Sequence, residues 1–177
     1  MEDSSAFNAL FLCTGNSARS ILAEGMMNHP SIGGRRFRAF SAGSHPKGVV
    51  DPLAFEILRQ YGISTDGLRS KSWDEFAGPQ APSLHFVFTV CDQAAAEICP
   101  IWPGQPMTAH WGVADPAAVT ASDVLRRRAF REVAFILRRR IELFASLPLE
   151  SLVGLTLQDR LDDIGRDRPP MSDPLHE

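Results

Sequence analysis

The sequence contains few cysteines, no long hydrophobic run and no large excess of one charge. Its three cysteines in 177 residues are too few for a disulfide-stabilised scaffold, and their odd number does not suit a four-cysteine zinc site. No stretch of 18 apolar residues occurs, so we expect neither a transmembrane helix nor a membrane partner. The net charge of −3 is not that of a general nucleic-acid binder. What is present, 44% hydrophobic and 22% charged residues, fits one domain with its own core.

The N-terminal residues indicate a compartment. Residues 1–5 are acidic and polar and lead directly into a strand-like run, which is not typical of a secretory signal. We therefore expect a cytoplasmic protein. In that reducing compartment cysteines serve chemistry more often than crosslinking.

Strand-like and helix-like segments alternate along most of the chain. The predicted strands are 7–12, 38–41, 84–90 and 107–111, and the predicted helices are 20–28, 51–61, 92–98 and a long one opened by a capping box at 120–123. Five apolar residues share one face of the long helix: Phe130, Val133, Leu137, Ile141 and Phe144. This alternation predicts an α/β fold with a parallel sheet and right-handed crossovers.

The pattern changes beyond residue 147. A second capping signal stands at 156–159, and Leu157, Leu161 and Ile164 share a helical face. From Arg166 the chain is charged and proline-rich. We therefore expect a main domain over residues 1–147 and a C-terminal extension over 148–177, with a short helix and then a disordered tail.

Other charged residues and histidines show no site pattern. The arginine runs 126–128 and 138–140 spread around a helix at about 100° per residue, so we interpret them as solvated faces. His110 and Trp111 are expected to pack at a strand end. The histidines lack metal-ligand spacing, and we expect no metal site.

Residues 13–20 join the first strand to the first helix and have the character of an anion-binding loop. Gly15 and Asn16 tolerate positive φ, so the loop can turn its N–H groups inward, and the N-terminus of the helix behind the loop adds a partial positive charge. Arg19 can bind two oxygens of a tetrahedral oxyanion. The predicted oxyanion-binding residues are Thr14, Gly15, Asn16, Ser17, Ala18, Arg19 and Ser20. Cys13 is the candidate nucleophile, with Ser20 as hydrogen-bond donor to its thiolate; a structural cysteine at a strand end is the alternative.

Residues 11–20, followed by 23–25, resemble the low-molecular-weight tyrosine phosphatase superfamily and, within it, the arsenate reductases of that fold. Later segments agree with the resemblance: 41–43, 89–92, 99–100, 110–112 and 115–116. The resemblance covers residues 7–147 and says nothing about 148–177. It implies a flavodoxin-like three-layer sandwich with a four-stranded parallel sheet in the order 2-1-3-4 and helices on both faces. Anions then bind at the carboxyl ends of the strands.

The other two cysteines differ in their distance from the loop. In that strand order the strands that end at Cys13 and Cys91 are neighbours, about 5 Å apart, so Cys91 is expected beside the loop. Cys99 lies eight residues further on, which is about 12 Å along a helix. A disulfide needs Cα atoms within about 7 Å, so a Cys91–Cys99 bond requires helix 92–98 to unwind. Two helical turns are marginal in water, and the cost is modest.

The resemblance implies a three-cysteine relay that reduces arsenate to arsenite. In it Cys13 attacks arsenate, Cys91 attacks the Cys13 sulfur with release of arsenite, and Cys99 then bonds to Cys91 and frees Cys13. Thioredoxin is the expected electron donor, and a glutathione system stays open. We expect no bound cofactor, with phosphate and sulfate as competing oxyanions.

Asp115, which precedes Pro116, resembles the acid of the family. In a phosphatase this residue protonates the leaving oxygen, and in a reductase it helps to expel hydroxide or holds the resolving thiol. An aspartate that only forms a turn before proline is the alternative.

Some thioredoxin-coupled relatives bind potassium near the loop through Asn, Glu, Ser and Asp side chains. Asn16, Glu24 and Ser41 match this set, but Lys71 stands at the position of the aspartate. An ammonium group there can replace the cation, so we expect no potassium requirement.

Two alternatives to a thioredoxin-coupled arsenate reductase stay open. A phosphatase for phosphotyrosine or a small phosphate ester would need only Cys13, Arg19 and Asp115. Phosphotyrosine phosphatases of this fold typically place an aromatic residue after the Asp-Pro pair, where this chain has Ala117. A non-catalytic oxyanion or redox sensor would signal through Cys91 and Cys99.

Overall fold

The structure is a computed structural model that describes residues 6–169. Its strands are β1 (Phe7–Cys13), β2 (Phe37–Gly43), β3 (Phe86–Thr89) and β4 (Met107–His110). Its helices are α1 (Arg19–Met27), α2 (Pro52–Gln60), α3 (Asp92–Ala96), α4 (Asp123–Ala145) and α5 (Gly154–Arg166), with 3₁₀ turns at Trp73–Phe76 and Pro116–Ala118. None of the helices in this range is long and apolar enough to cross a membrane.

The four strands form one parallel sheet in the order β2-β1-β3-β4, which confirms the predicted fold. β1 is a central strand, and its residues from Ala9 to Leu12 are completely buried, as a strand covered on both faces requires. Because all strands run the same way, the segments that follow Cys13, Gly43, Thr89 and His110 meet at one edge of the sheet.

Two hydrophobic clusters cover the two faces of the sheet. Successive residues of β1 alternate between them, as the pleat requires. The larger cluster holds the helices and an aromatic group in which Phe88 stacks on Trp111 at 3.9 Å between ring centroids and meets Phe144 edge-on. The smaller cluster holds Leu10, Leu12, Phe76, Leu84 and Trp102, from β1, the first 3₁₀ turn and neighbouring loops.

Two helices begin at other residues than predicted. The N-cap of α4 is Ser122, whose hydroxyl accepts from the Leu125 N–H at 3.2 Å, so a capping box that starts at Thr120 is wrong. α5 begins at Gly154 without a side-chain cap, and the signal at 156–159 lies inside the helix. In contrast, Asp51 caps α2 as its sequence suggests.

The apolar face of α4 is buried as predicted, but the solvated interpretation of 138–140 is wrong for Arg140. This side chain is completely buried. Residue 140 lies three and seven positions after Leu137 and Val133, so it shares their inward face. The position of residue 140 on this apolar face, rather than its place in a run of arginines, decides that it is buried.

The C-terminal helix α5 packs against the edge strand β4. Leu157, Leu161 and Ile164 are buried there, as their spacing predicts. The Trp111 indole N–H donates to the Leu161 carbonyl at 3.0 Å. The division of the chain at residue 147 stays a prediction, and most of the predicted disordered tail, residues 170–177, lies outside the described residues.

Candidate active site

The loop 13–20 is held by a buried asparagine. Asn16 has a φ of +44° and is completely buried. Its amide donates to the hydroxyl groups of Ser20 at 2.8 Å and Ser41 at 3.0 Å, while its carbonyl oxygen accepts from the Lys71 N–H at 2.9 Å. Gly43 permits the close approach of the loop to the end of β2, since a Cβ at this position would lie 2.5 Å from the Thr14 carbonyl oxygen. The loop is therefore fixed before any anion binds.

Cys13 lies at the base of the loop, at the end of β1. Its side chain is buried, and its Sγ lies 2.9 Å from the Ser20 hydroxyl. Ser20 belongs to the first turn of α1, and this helix has no side-chain cap. Its first N–H groups are thus available to an anion, and the helix dipole adds positive charge there.

Arg19 and Asp115 face each other across the pocket. The Arg19 Nη1 donates to the Val113 carbonyl at 3.1 Å, and its Nη2 lies 3.8 Å from Asp115 Oδ2. The other carboxylate oxygen of Asp115 accepts from the Ala117 N–H and caps the turn Pro116–Ala118. The same carboxyl group therefore forms the turn and faces the pocket.

Three pocket residues escaped the sequence analysis: His45, Lys47 and Gln93. The first two follow β2, and their N–H groups donate to the Thr14 and Gly15 carbonyls at 2.9 Å each. Their position after a strand that neighbours β1 was the available signal, because ligands bind where parallel strands end. The positive charge of Lys47 beside the loop increases its attraction for anions.

Cys91 lies beside the loop, although it does not end β3 as predicted. The strand ends at Thr89, and Cys91 is the N-cap of α3, where its buried sulfur accepts from the Ala94 N–H at 3.4 Å. The same sulfur lies 3.6 Å from the hydroxyl of Thr14, the neighbour of Cys13. The fold thus places a second thiol next to the nucleophile's loop.

The helix after Cys91 is shorter than predicted. α3 ends at Ala96, and Glu97 is extended with a ψ of 152°. Only Ala94 of this helix is buried, and Ile98 is almost fully exposed, so little packing supports a second turn. The segment that must rearrange for a Cys91–Cys99 bond is therefore already partly unwound.

Cys99 is exposed, and all three cysteines are free thiols. Its sulfur lies against the chain, 3.8 Å from the Glu97 carbonyl. Partial burial of the sulfur, and then the negative charge of Glu97, raise the pKa of the Cys99 thiol. Its thiolate therefore forms at a higher pH than that of an ordinary exposed thiol.

Behind the loop, Lys71 occupies a buried polar cluster. Its ammonium lies 3.6 Å from Glu24 Oε1 and donates to the Arg69 carbonyl at 2.9 Å, and the Ser41 hydroxyl donates to the same Glu24 oxygen. Burial raises the pKa of Glu24 and lowers that of Lys71, while their mutual attraction opposes both shifts. Because the Lys71 ammonium already lies beside the Glu24 carboxylate, a potassium ion does not fit there as well.

Known proteins resemble this chain in sequence and in fold. The family described as low molecular weight phosphotyrosine protein phosphatase matches residues 8–152. The arsenate reductase of Halalkalibacterium halodurans is 35% identical over 135 residues, which cover 76% of this chain and 92% of that protein.

Two solved structures share the fold. An arsenate reductase in the phosphate binding state superimposes with a TM-score of 0.63 at 24% identity, over 79% of this chain and 97% of that chain. A thioredoxin-dependent arsenate reductase of Corynebacterium glutamicum gives 0.56 at 22% identity, over 84% of this chain and 65% of that chain, slightly less than two thirds of its length. The chain belongs to the low-molecular-weight phosphotyrosine protein phosphatase family.

Proposed function

We propose that the protein reduces arsenate to arsenite through a relay of its three cysteines, and that a thioredoxin-type dithiol protein regenerates it. The observation that carries the proposal is the 3.6 Å contact between Thr14 and the Cys91 sulfur. It brings a second reduced thiol to the oxyanion loop, a thiol that ester hydrolysis does not need.

The first step is attack on bound arsenate. The loop N–H groups and Arg19 hold the oxyanion, and the Cys13 thiolate, which accepts from Ser20, attacks arsenic. An arsenic–sulfur bond forms, and one oxygen leaves as water after it receives a proton. Asp115, at the mouth of the pocket beside Arg19, is the proton donor in this scheme.

The second step reduces arsenic. The Cys91 thiolate attacks the Cys13 sulfur, the sulfur–arsenic bond breaks, and its electron pair stays on arsenic, which falls from oxidation state +5 to +3. Arsenite leaves, and a Cys13–Cys91 disulfide remains. The Ala94 N–H and the Thr14 hydroxyl are available donors to the attacking sulfur.

The third step carries the disulfide to the surface. The Cys99 thiolate attacks Cys91, the Cys13 thiolate is released, and a Cys91–Cys99 disulfide forms. Because α3 is short and Cys99 is exposed, this disulfide lies where a dithiol protein can attack it. Two electrons then pass from the dithiol to the disulfide, and both thiols are restored. The arsenate reductase relatives and a thioredoxin-dependent structural neighbour support this assignment.

A phosphatase is the second candidate, and the position of Asp115 beside Arg19 favours it. Hydrolysis of a phosphate ester requires Cys13, Arg19 and an acid, all of which line the pocket. The residue after the Asp-Pro pair is Ala117, so no aromatic ring stands there to stack on phosphotyrosine. We therefore propose ester hydrolysis as a slow side reaction.

The test is NADPH consumption with arsenate, thioredoxin and thioredoxin reductase, and in parallel with glutathione and glutaredoxin. We expect sustained turnover with thioredoxin, none in Cys13→Ser, and none in Cys91→Ser or Cys99→Ser, although these last two still hydrolyse p-nitrophenyl phosphate. Ester hydrolysis without arsenate turnover in the wild type would assign a phosphatase. One oxidation per chain without turnover would assign a sensor.

A further inference from the structure

Arg140 is a buried cation whose partners are main-chain carbonyls. Its side chain has no exposed surface. Nη1 donates to the carbonyl oxygens of Trp111 at 2.6 Å and Gly112 at 3.2 Å, and Nη2 donates to the Asp167 carbonyl at 3.3 Å. A buried guanidinium is costly unless hydrogen bonds satisfy it, and here two of its three hydrogen bonds go to one loop.

That loop, residues 111–115, lies between two arginines. Arg140 holds its first two carbonyls from the interior, and Arg19 holds the next one, that of Val113, from the pocket. The Val113 N–H donates to the Val90 carbonyl at 3.1 Å, which fixes the loop to the end of β3. The segment then reaches Asp115 two residues later.

The C-terminal segment fixes Arg140 in turn. Asp167 accepts from Arg140 through its main chain and pairs with Arg139 through its carboxylate. At Gly165 a Cβ would lie 2.3 Å from the His110 carbonyl oxygen, so the helix approaches the end of β4 as closely as glycine allows. Gly165 and Asp167 lie beyond residue 152, where the family match ends.

We propose that Arg140 is a positioning residue for Asp115, and that the C-terminal segment is the support that orients Arg140. The inference rests on the proposed function, in which Asp115 delivers the proton at the pocket. If Arg140 lost its donors, two loop carbonyls would be left without partners and the loop would shift. A displacement of about 1 Å at a catalytic group is enough to slow the proton transfer strongly.

The experiment compares Arg140→Met and Arg140→Lys with the matched control Arg138→Met. Arg138 stands on the same helix but lies near the surface, where it pairs with Glu142. Hydrolysis of p-nitrophenyl phosphate, a good leaving group, is measured beside phenyl phosphate, a poor one, with Asp115→Asn as reference. Amide hydrogen exchange of residues 111–115 is measured on the same proteins, and inhibition by inorganic phosphate reports the integrity of the loop 13–20.

We expect kcat for phenyl phosphate to fall about tenfold more than kcat for p-nitrophenyl phosphate in both Arg140 variants, as in Asp115→Asn. Phosphate inhibition should stay unchanged, and exchange at 111–115 should accelerate. Arg138→Met should match the wild type. Arg140→Lys keeps the positive charge and carries the test if Arg140→Met does not fold.

Two results would overturn the inference: unchanged exchange at 111–115, or equal losses for both esters in an Arg140 variant while Asp115→Asn discriminates between them. If Asp115→Asn hydrolyses both esters as well as the wild type does, the proton-donor role in the proposed function fails instead; if the wild type hydrolyses neither ester, only the proposed side reaction fails, and the Arg140 variants are compared by their arsenate turnover with thioredoxin. Hydrogen exchange then decides separately whether Arg140 positions the loop.

Discussion

At the residue scale, the proposed chemistry depends on the few contacts made by each sulfur. Cys13 contacts Ser20, and Cys91 contacts Thr14 and the Ala94 N–H. Cys99 differs from both, because its sulfur contacts the Glu97 carbonyl of its own segment. The pKa of its thiol is raised. The two inner sulfurs are thus held by the fold, while the third is held by its own segment.

Arg19→Lys should weaken oxyanion binding although it conserves the charge. An ammonium cannot bind two oxygens in a fixed plane or also donate to the Val113 carbonyl. Loss of one hydrogen bond to a charged group corresponds to about 1.5–3 kcal/mol, or roughly a 10- to 150-fold higher Kd. Calorimetric titration with inorganic phosphate, a competing oxyanion that does not oxidise the cysteines, measures it, and Arg138→Lys is the control. An unchanged affinity would remove Arg19 from the anion site.

Alkylation of Cys99 should report its raised pKa. Only the thiolate reacts with iodoacetamide, so the rate at Cys99 should increase with pH and reach half its maximum above the midpoint of an ordinary exposed thiol. Glu97→Gln removes one of the two causes and should move the midpoint to lower pH. Peptide mass spectrometry across pH measures both. Identical midpoints in the two proteins would exclude an influence of Glu97.

At the scale of elements, two polar connections hold the site to the sheet. Asn16 joins the loop 13–20 to β2 and to Lys71, and Lys71 joins the segment before the first 3₁₀ turn to Glu24 on α1. On the other side, α3 is a single short turn that starts at the Cys91 sulfur. The side that binds the anion is therefore rigid, and the side that must move is weakly held.

Lys71→Met should destabilise the fold, because Glu24 is left buried without its cation. Both side chains are at most a tenth exposed, and removal of one partner of a buried pair costs about 3–5 kcal/mol. Urea unfolding measures the loss, and Lys47→Met, at an exposed lysine, should change the free energy of unfolding little. The wild-type protein should be equally stable and active in potassium and tetramethylammonium chloride. Several-fold activation by potassium would contradict the role assigned to Lys71.

Oxidation should loosen residues 92–98. Few hydrogen bonds hold α3, among them those from the N–H groups of Ala94, Ala95 and Glu97. A Cys91–Cys99 bond takes the capping sulfur away and draws the two ends together. We expect faster amide hydrogen exchange over 92–98 in arsenate-oxidised protein than in reduced protein, with unchanged exchange in β1 as internal control. Equal protection in both states would contradict a local rearrangement.

At the scale of the whole molecule, the sequence predicted the features that follow from a local pattern or from the family resemblance. It missed the features that depend on packing between distant segments. The loop 13–20 was predictable because its residues are contiguous, and Cys91 was placed beside it by the strand order. The burial of Arg140 was missed because an arginine run looks solvated; its spacing from Leu137 and Val133 indicated the inward face, but the carbonyls of residues 111, 112 and 167 that satisfy its charge come together only through packing. The early end of α3 depends on the absence of packing on Ile98, which no periodicity shows.

The C-terminal helix α5 packs on β4, the strand at one edge of the sheet. It covers part of this edge strand: the Gln158 side chain donates to the Thr108 carbonyl at 2.8 Å, and the Trp111 indole, just after the strand, donates to the Leu161 carbonyl. A covered edge strand resists pairing with other chains. Asp167, directly after this helix, accepts from Arg140, so in our proposal the C-terminal segment also supports the loop 111–115.

Disulfide mapping after reaction with arsenate, in the absence of any reductant, tests the relay most directly. Reduced protein is mixed with arsenate, quenched with an alkylating reagent and digested, and arsenite is quantified in parallel. The relay predicts one arsenite per chain, a single Cys91–Cys99 disulfide and an alkylated Cys13, with Cys99→Ser stopping at Cys13–Cys91. A wild-type product that retains Cys13–Cys91, or arsenite released without any disulfide, would contradict it.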